Sequence, residues 1–241
     1  MRVLVTRPPH PGERTAKRLA EMGHEPIMLP LSAPAHDPDA AFTALANSDG
    51  PISVTSAEAI RVLTERPDDL APYLSRPLYA VGDATAEEAR AAGFRDVTAS
   101  TGDGADLADR IAQRDTAQSD KKTNLLYLAG FPRAETFETR AADLGLTVTT
   151  VECYRMRRLD IPDQLLRELF SAHEPDAILF YSRRTAEDFF ALKEISANLD
   201  ALIGVRLLCL SPAIAEAIPP TLQGQSATPD SPDETALLSL L

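Results

Sequence analysis

No apolar run in the sequence approaches the ~20 residues that a membrane-spanning helix needs. Met1 leads straight into the strand-like RVLVT without a signal-peptide pattern. Cysteine is scarce: Cys153 and Cys209 each sit alone inside an apolar run, without CxxC spacing. Buried thiols in a reducing compartment, the cytoplasm, are therefore expected. His10, His24, His36 and His173 are scattered, without metal-ligand spacing to one another or to the cysteines, and read as surface or packing residues. No GxGxxG follows the first strand, where TRPPHPG stands instead, and neither a P-loop nor a GxSxG elbow occurs. Positive charge is also short, with 24 Lys and Arg against 36 Asp and Glu for a net −12. That balance argues against a nucleic-acid binder, which needs a basic face, but not against a small anion held in a locally basic cleft. Redox, phosphoryl-transfer, metal and triad chemistry all lose support. No cofactor is expected.

What is present is an internal repeat. The 241 residues are 44% hydrophobic, enough for one large domain or two of ordinary size. VLVTRPPHPGERTAKRLAEMGHEPIMLPL is a strand, a polar turn, an amphipathic helix, a glycine and a second strand. LLYLAGFPRAETFETRAADLGLTVTTVECY repeats that order, and an offset of 122 lays Gly145 on Gly23. Both glycines fall where a helix C-terminus wants a left-handed residue. ISVTSAEAI then matches ILFYSRRTA, LYAVGDATAEEA matches LLCLSPAIAEAI, and DGADLADRI matches PDETALLSLL. Strand-then-helix units in both halves predict an α/β fold with parallel sheets covered on both faces. The strands read as continuous apolar runs, which fits that burial, and the periodicity predicts a helix over 133–144. Pro-rich 29–39 and charged 155–163 read as inter-domain connections, and 113–124 as an exposed loop.

In open parallel sheets, ligands bind beyond the carboxyl ends of the strands. The turns predicted there are Thr6-Arg7, Thr55-Ser56, Gly82 to Thr85, Ala129-Gly130, Ser182 to Thr185 and Ser211-Pro212. They offer hydroxyls, glycines and the free N–H groups of helix starts, which suit carboxylates or phosphates. Ordinary N-capping would explain any one of the hydroxyls. Arg7, Arg14, Arg133, Arg155, Arg157, Arg158, Arg183 and Arg184 lie nearby. Such a set suits a ligand with several carboxylates.

The stretches VLVTRP, VTSAEAI, YAVGDATAEEARAAGF, VECYRM and LFYSRRTAEDFF, in this order and spacing, resemble the uroporphyrinogen-III synthase family along essentially the whole chain. The resemblance implies two doubly wound, flavodoxin-like parallel-sheet domains, related by the internal repeat and joined by a two-stranded linker. One would comprise 1–34 and 159–241, the other 35–158, with the substrate in the cleft between them. It implies cyclisation of hydroxymethylbilane, a linear tetrapyrrole polycarboxylate, with loss of water and inversion of ring D through a spirocyclic intermediate. Folding the substrate would be the main catalytic task. Tyr154 matches the family's functional tyrosine, a neutral acid able to assist the departing hydroxyl. Thr85 matches a threonine at the cleft, and Ser56 and Ser182 match paired serines. Thr6, Arg7, Gly82, Gly130 and Arg183 complete the expected substrate contacts. Ile214 stands where the family often has threonine, so no polar contact is carried to it. A monomer is implied, with a transient contact with hydroxymethylbilane synthase left open and neither nucleic acid nor membrane as a partner. The alternative is a non-catalytic two-lobed tetrapyrrole- or anion-binding sensor domain of the same fold; Tyr154 and Thr85 favour the enzyme.

Overall fold

The computed structural model describes residues 1–115, 124–172 and 174–241. His173 and most of the expected loop at 113–124 lie outside these residues; 113–115 close a helix and Asn124 opens a strand. No helix among the described residues is long and apolar enough to cross a membrane. The strands are β1 (Arg2–Val5), β2 (Glu25–Met28), β3 (Ser32–His36), β4 (Ile52–Val54), β5 (Leu78–Val81) and β6 (Val97–Ser100). They are followed by β7 (Asn124–Phe131), β8 (Thr147–Arg158), β9 (Ala177–Phe180), β10 (Arg206–Cys209) and β11 (Ser226–Ala227). The chain divides into two compact units, Met1–Ala33 with Arg157–Leu241, and Pro34–Met156.

The first unit carries a sheet in the order β2-β1-β9-β10-β11, parallel throughout, which is the order of a flavodoxin-like doubly wound sheet. Both faces of its short strands are buried. Leu4, Ile178, Phe180, Leu207 and Cys209 point into one layer, under the helices Asp163–Ala172 and Arg183–Phe190. Val3, Val5, Ala177, Leu179 and Leu208 point the other way, under Leu19 and the C-terminal Leu237 and Leu238. This is the period-2 alternation of a strand, with apolar residues at both phases. Phe180 and Phe189 meet edge to face at 5.5 Å, and truncating the buried Phe189 to alanine would cost about 3–5 kcal/mol.

The second unit carries the order β3-β8-β7-β4-β5-β6, with β4 to β8 parallel. Ile52, Val54, Leu78, Ala80, Leu126 and Leu128 form one layer with the helices Pro38–Ala46, Ala57–Thr64 and Asp83–Ala91. Tyr79, Leu125, Tyr127 and Ala129 form the other, with Gly104–Asp115 and Thr136–Asp143.

The repeat explains both orders. Laying β1 and β2 on β7 and β8, and β9, β10 and β11 on β4, β5 and β6, turns one sheet into the other, with β3 as an added edge. Each sheet therefore takes its strand-helix-strand opening from one half of the sequence and three strands from the other half. The helix ends repeat in detail. His24 N donates to Leu19 O at 2.9 Å across Gly23 (φ +82°), and Leu146 N to Ala141 O at 2.9 Å across Gly145 (φ +71°). Only glycine adopts that left-handed turn without strain. The serine caps repeat as well, with φ, ψ of −150°, 140° at Ser56 and −148°, 149° at Ser182.

One expected element is shorter than its periodicity suggested. The helix predicted over 133–144 spans Thr136–Asp143. Arg133 instead closes the preceding turn, donating from Nη1 to Gly130 O at 3.3 Å and from Nε to Glu138 Oε1 at 2.7 Å.

Candidate functional site

In the second unit, five expected residues, Ser56, Gly82, Thr85, Gly130 and Tyr154, lie at or near the carboxyl ends of β4, β5, β7 and β8, together with a bulge that was not expected. Leu128 pairs with Val151 and Ala129 with Glu152, yet Gly130 pairs with Tyr154, so β8 carries one extra residue, Cys153. A bulge of this kind changes which face the following side chains occupy. Here it lays the Tyr154 ring over Gly130, where a Cβ would stand 2.5 Å from the phenol oxygen and overlap the ring. Cys153 is fully buried and its thiol is pushed up to about 12 by burial. Cys209 is pushed to about 12 by the same cause, so both thiols are packing groups.

Tyr154 is half-buried. Burial raises its phenol above the ordinary value, while a hydrogen bond with Ser56 draws it down. Ser56 caps the helix Ala57–Thr64, its Oγ accepting the Glu58 N–H at 3.2 Å. Beside this pair, the Tyr127 phenol lies 2.8 Å from Thr55 Oγ1, packs at 4.6 Å on Phe137, and is raised by burial.

Gly82 adopts φ +75° at the start of the helix Asp83–Ala91, and its N–H is bonded to Ser100 O at 2.9 Å. Thr85 sits in the first turn of that helix, 7% exposed, and its hydroxyl has no hydrogen-bond partner among the described residues. Next to Gly130, Phe131 is 44% exposed and carries the Arg155 guanidinium 4.3 Å from its ring centre. Arg155 is fixed by two bonds to Glu152, at 2.7 and 2.9 Å. The expectations singled out neither Phe131 nor the Thr55–Tyr127 pair. An aromatic directly after a glycine at a strand end was the available signal for Phe131.

In the first unit, the polar groups at the turn after β1 have partners within the protein. Thr6 is 1% exposed, and its hydroxyl donates to Leu179 O at 2.8 Å, tying β1 to β9. Arg7 stacks 4.0 Å above the Tyr181 ring and donates to Glu234 Oε1 at 2.9 Å and Thr15 Oγ1 at 3.1 Å. Glu234 also accepts from Thr15 at 2.5 Å, Tyr181 at 2.8 Å and Arg18 at 2.9 Å. Burial alone would raise its carboxyl, but these donors outweigh it and hold the group below the usual range. The Tyr181 phenol is pushed far up by burial and by Glu234. Thr6 and Arg7 thus have structural partners in place.

After β9, Ser182 Oγ accepts the Thr185 N–H at 3.1 Å and lies 2.7 Å from Thr185 Oγ1. Arg183 is exposed but held by Glu187 and Glu216, each at 3.0 Å. Arg184 is exposed and without an ion pair among the described residues. Ile214, after β10, is 7% exposed and packs in the core.

The chain matches the family model described as uroporphyrinogen-III synthase HemD over residues 13–239. No protein of curated function matches it significantly by sequence. Among solved structures, uroporphyrinogen-III synthetase from Helicobacter pylori is similar, with a TM-score of 0.62 at 18% identity over 100% of this chain and 98% of that one. A mutant uroporphyrinogen III synthase from the extremely thermophilic bacterium Thermus thermophilus gives 0.54 at 19% identity over 99% and 96%. At such identities the likeness establishes the α/β fold with its parallel sheets.

Proposed function

The chain belongs to the uroporphyrinogen-III synthase family, and we propose that Tyr154, laid over Gly130, is the proton donor of its reaction. The enzyme is a cyclising lyase of haem biosynthesis: it closes hydroxymethylbilane to uroporphyrinogen III with loss of water and inversion of ring D. The observation that carries the role of Tyr154 is the placement of its ring. The β8 bulge lays the half-buried phenol over Gly130, at the carboxyl end of β7. A half-buried phenol remains protonated at neutral pH without burying a charge. Donation to the departing hydroxyl assists C–O cleavage, and the proton released on final ring closure restores the phenol.

The remaining work is binding a polycarboxylate in one folded shape. Thr85, the helix-start N–H groups beyond Gly82 and Ser182, and the cations Arg183 and Arg184 suit carboxylates. The exposed ring of Phe131, with the Arg155 guanidinium over one face, suits a pyrrole ring bearing an acidic side chain. Thr6 and Arg7 support this binding indirectly, by fixing the first unit's sheet end. Action as a cytoplasmic monomer, in transient contact with hydroxymethylbilane synthase, belongs to the same proposal.

The deciding experiment is incubation with hydroxymethylbilane and separation of the product isomers. Uroporphyrinogen III is expected; uroporphyrinogen I alone, the product of unassisted closure, would reject the catalytic function. Loss of turnover in Tyr154→Phe with retained fold is the companion result for the proton donor.

A further inference from the structure

Tyr127 carries a hydroxyl that packing alone does not require. The residue is fully buried, and its ring lies 4.6 Å from that of Phe137 in the layer with Leu107, Ile111 and Leu125. Phenylalanine would fill the same space. The phenol oxygen lies 2.8 Å from Thr55 Oγ1, and no other group among the described residues bonds to either oxygen. The parallel register of Ser53 with Tyr127 and Val54 with Leu128 already fastens β4 to β7 through the backbone. The side-chain bond is therefore not required to join the strands.

Burial sets the direction of that bond. A phenol has one proton to give, and a buried donor without an acceptor is costly. Were Thr55 the donor, the Tyr127 proton would be left inside the protein without a partner. Tyr127 therefore donates, Thr55 Oγ1 accepts, and the threonine keeps its own proton. Thr55 is half-buried and stands between β4 and the Ser56 cap. Of the two hydroxyls, only that of Thr55 belongs to a residue reaching the surface, and it does so at the carboxyl end of the sheet, where parallel sheets bind ligands. With one lone pair fixed on the phenol, the threonine proton is confined to directions away from Tyr127.

We propose that Tyr127 is a positioning residue whose phenol aims the Thr55 hydroxyl at a carboxylate of the substrate. A hydroxyl whose accepting side is taken by the protein selects an acceptor from outside, and a carboxylate accepts most strongly. A bond that served only to clamp β4 to β7 would leave substrate affinity untouched. The inference rests on hydroxymethylbilane, a polycarboxylate, being the substrate.

The test is a double-mutant cycle with hydroxymethylbilane. It comprises the wild type, Thr55→Val, Thr55→Ser, Tyr127→Phe and the double variant of Thr55→Val with Tyr127→Phe, each measured for product isomer, kcat, KM and melting temperature. Thr55→Val keeps the shape of the side chain and removes the hydroxyl. KM should rise about tenfold, as for a lost hydrogen bond to a charged group, with kcat within about twofold. Thr55→Ser, which keeps the hydroxyl, should recover most of that loss. Tyr127→Phe should raise KM about threefold, because the hydroxyl remains but is no longer aimed; in the Thr55→Val background it should change KM by less than about 1.5-fold. Thr55→Val also strands the buried phenol proton, so its melting temperature should fall, and adding Tyr127→Phe should restore it. Should Thr55→Val fail to fold, the double variant, which strands no proton, is compared with Tyr127→Phe instead. Wild-type KM in Thr55→Val or in the double variant overturns the contact, even if the melting temperature falls. An equal rise of KM on Tyr127→Phe in both backgrounds overturns the positioning role. Either result leaves the function standing as long as the wild type forms uroporphyrinogen III. Uroporphyrinogen I alone from the wild type rejects the function, and this inference with it.

Discussion

The Tyr154 ring occupies the space in which a side chain at Gly130 would begin, its phenol oxygen 2.5 Å from the position of the missing Cβ. A one-residue bulge at Cys153 brings the two together across β7 and β8. Gly130→Ala must therefore displace the ring while leaving the buried sheet intact. We expect kcat to fall about tenfold or more, as for other sub-ångström to ångström misplacements of a catalytic group. Near-UV and far-UV circular dichroism should stay unchanged, and wild-type kcat would show that the ring position is immaterial.

Tyr154→Phe removes only the hydroxyl. The expected loss in kcat is about tenfold to a hundredfold, at the low end for general acids because the hydroxyl leaves with help from the pyrrole. Burial raises the phenol, so wild-type kcat should hold its alkaline plateau beyond about pH 10, the ordinary value for tyrosine. Both are read from a pH series of initial rates; a fall through the neutral range would point to another group.

Phe131 offers an exposed ring where a pyrrole could stack. Phe131→Ala should raise KM several-fold, about 1 kcal/mol for a lost aromatic contact, with kcat changed less. Phe131→Tyr should behave as the wild type. Equal KM values for all three would remove the ring from the substrate site.

The neighbours Arg183 and Arg184 should separate. Arg183 is held by Glu187 and Glu216, whereas Arg184 is unpaired among the described residues. Arg184→Gln is expected to raise KM two- to fivefold, about 0.5–1 kcal/mol for an exposed charge, and Arg183→Gln by less. Rates at several salt concentrations would check this, since the Arg184 contribution should shrink with screening.

Glu234 joins the C-terminal helix to β1 through Arg7, Arg18, Thr15 and Tyr181. Glu234→Ala should destabilise the protein by about 2 kcal/mol, below the ~3–5 kcal/mol of a fully buried pair because both arginines can reach water. The carboxyl is held below its unfolded value, so its stabilisation is complete above the usual glutamate range. It is lost as pH falls through the lowered folded value. The melting temperature of the wild type should thus drop more steeply on acidification than that of Glu234→Gln; parallel curves would refute the linkage.

Much of the fold was legible because each half repeats strand, helix and glycine in the same order, and parallel strands buried on both faces must be apolar at both phases. The matched turns at Gly23 and Gly145, and the matched caps at Ser56 and Ser182, follow from local backbone requirements that a sequence displays directly. The helix expected from Arg133 began later because Arg133 found partners in the turn, a tertiary outcome that periodicity cannot register. Arg7 and Thr6 read as free groups at a strand end; their partners, Glu234 and Leu179, lie far along the chain. His36 read as a surface or packing residue because its partners Glu58 and Glu65 come from the helix Ala57–Thr64 and its C-cap, distant in sequence.

The sequence by itself determined the strand-and-helix units, their repetition, and the hydroxyl, glycine and arginine content of the turns, since these depend on local propensity and on the period of burial. Only the tertiary structure decided which arginines remain available and which are already paired, because pairing depends on contacts distant in sequence. It also decided that Tyr154 rests on Gly130 beside Ser56. A single extra residue in β8 sets that face, and the pairing of β8 with β7 decides which phase the following side chains take.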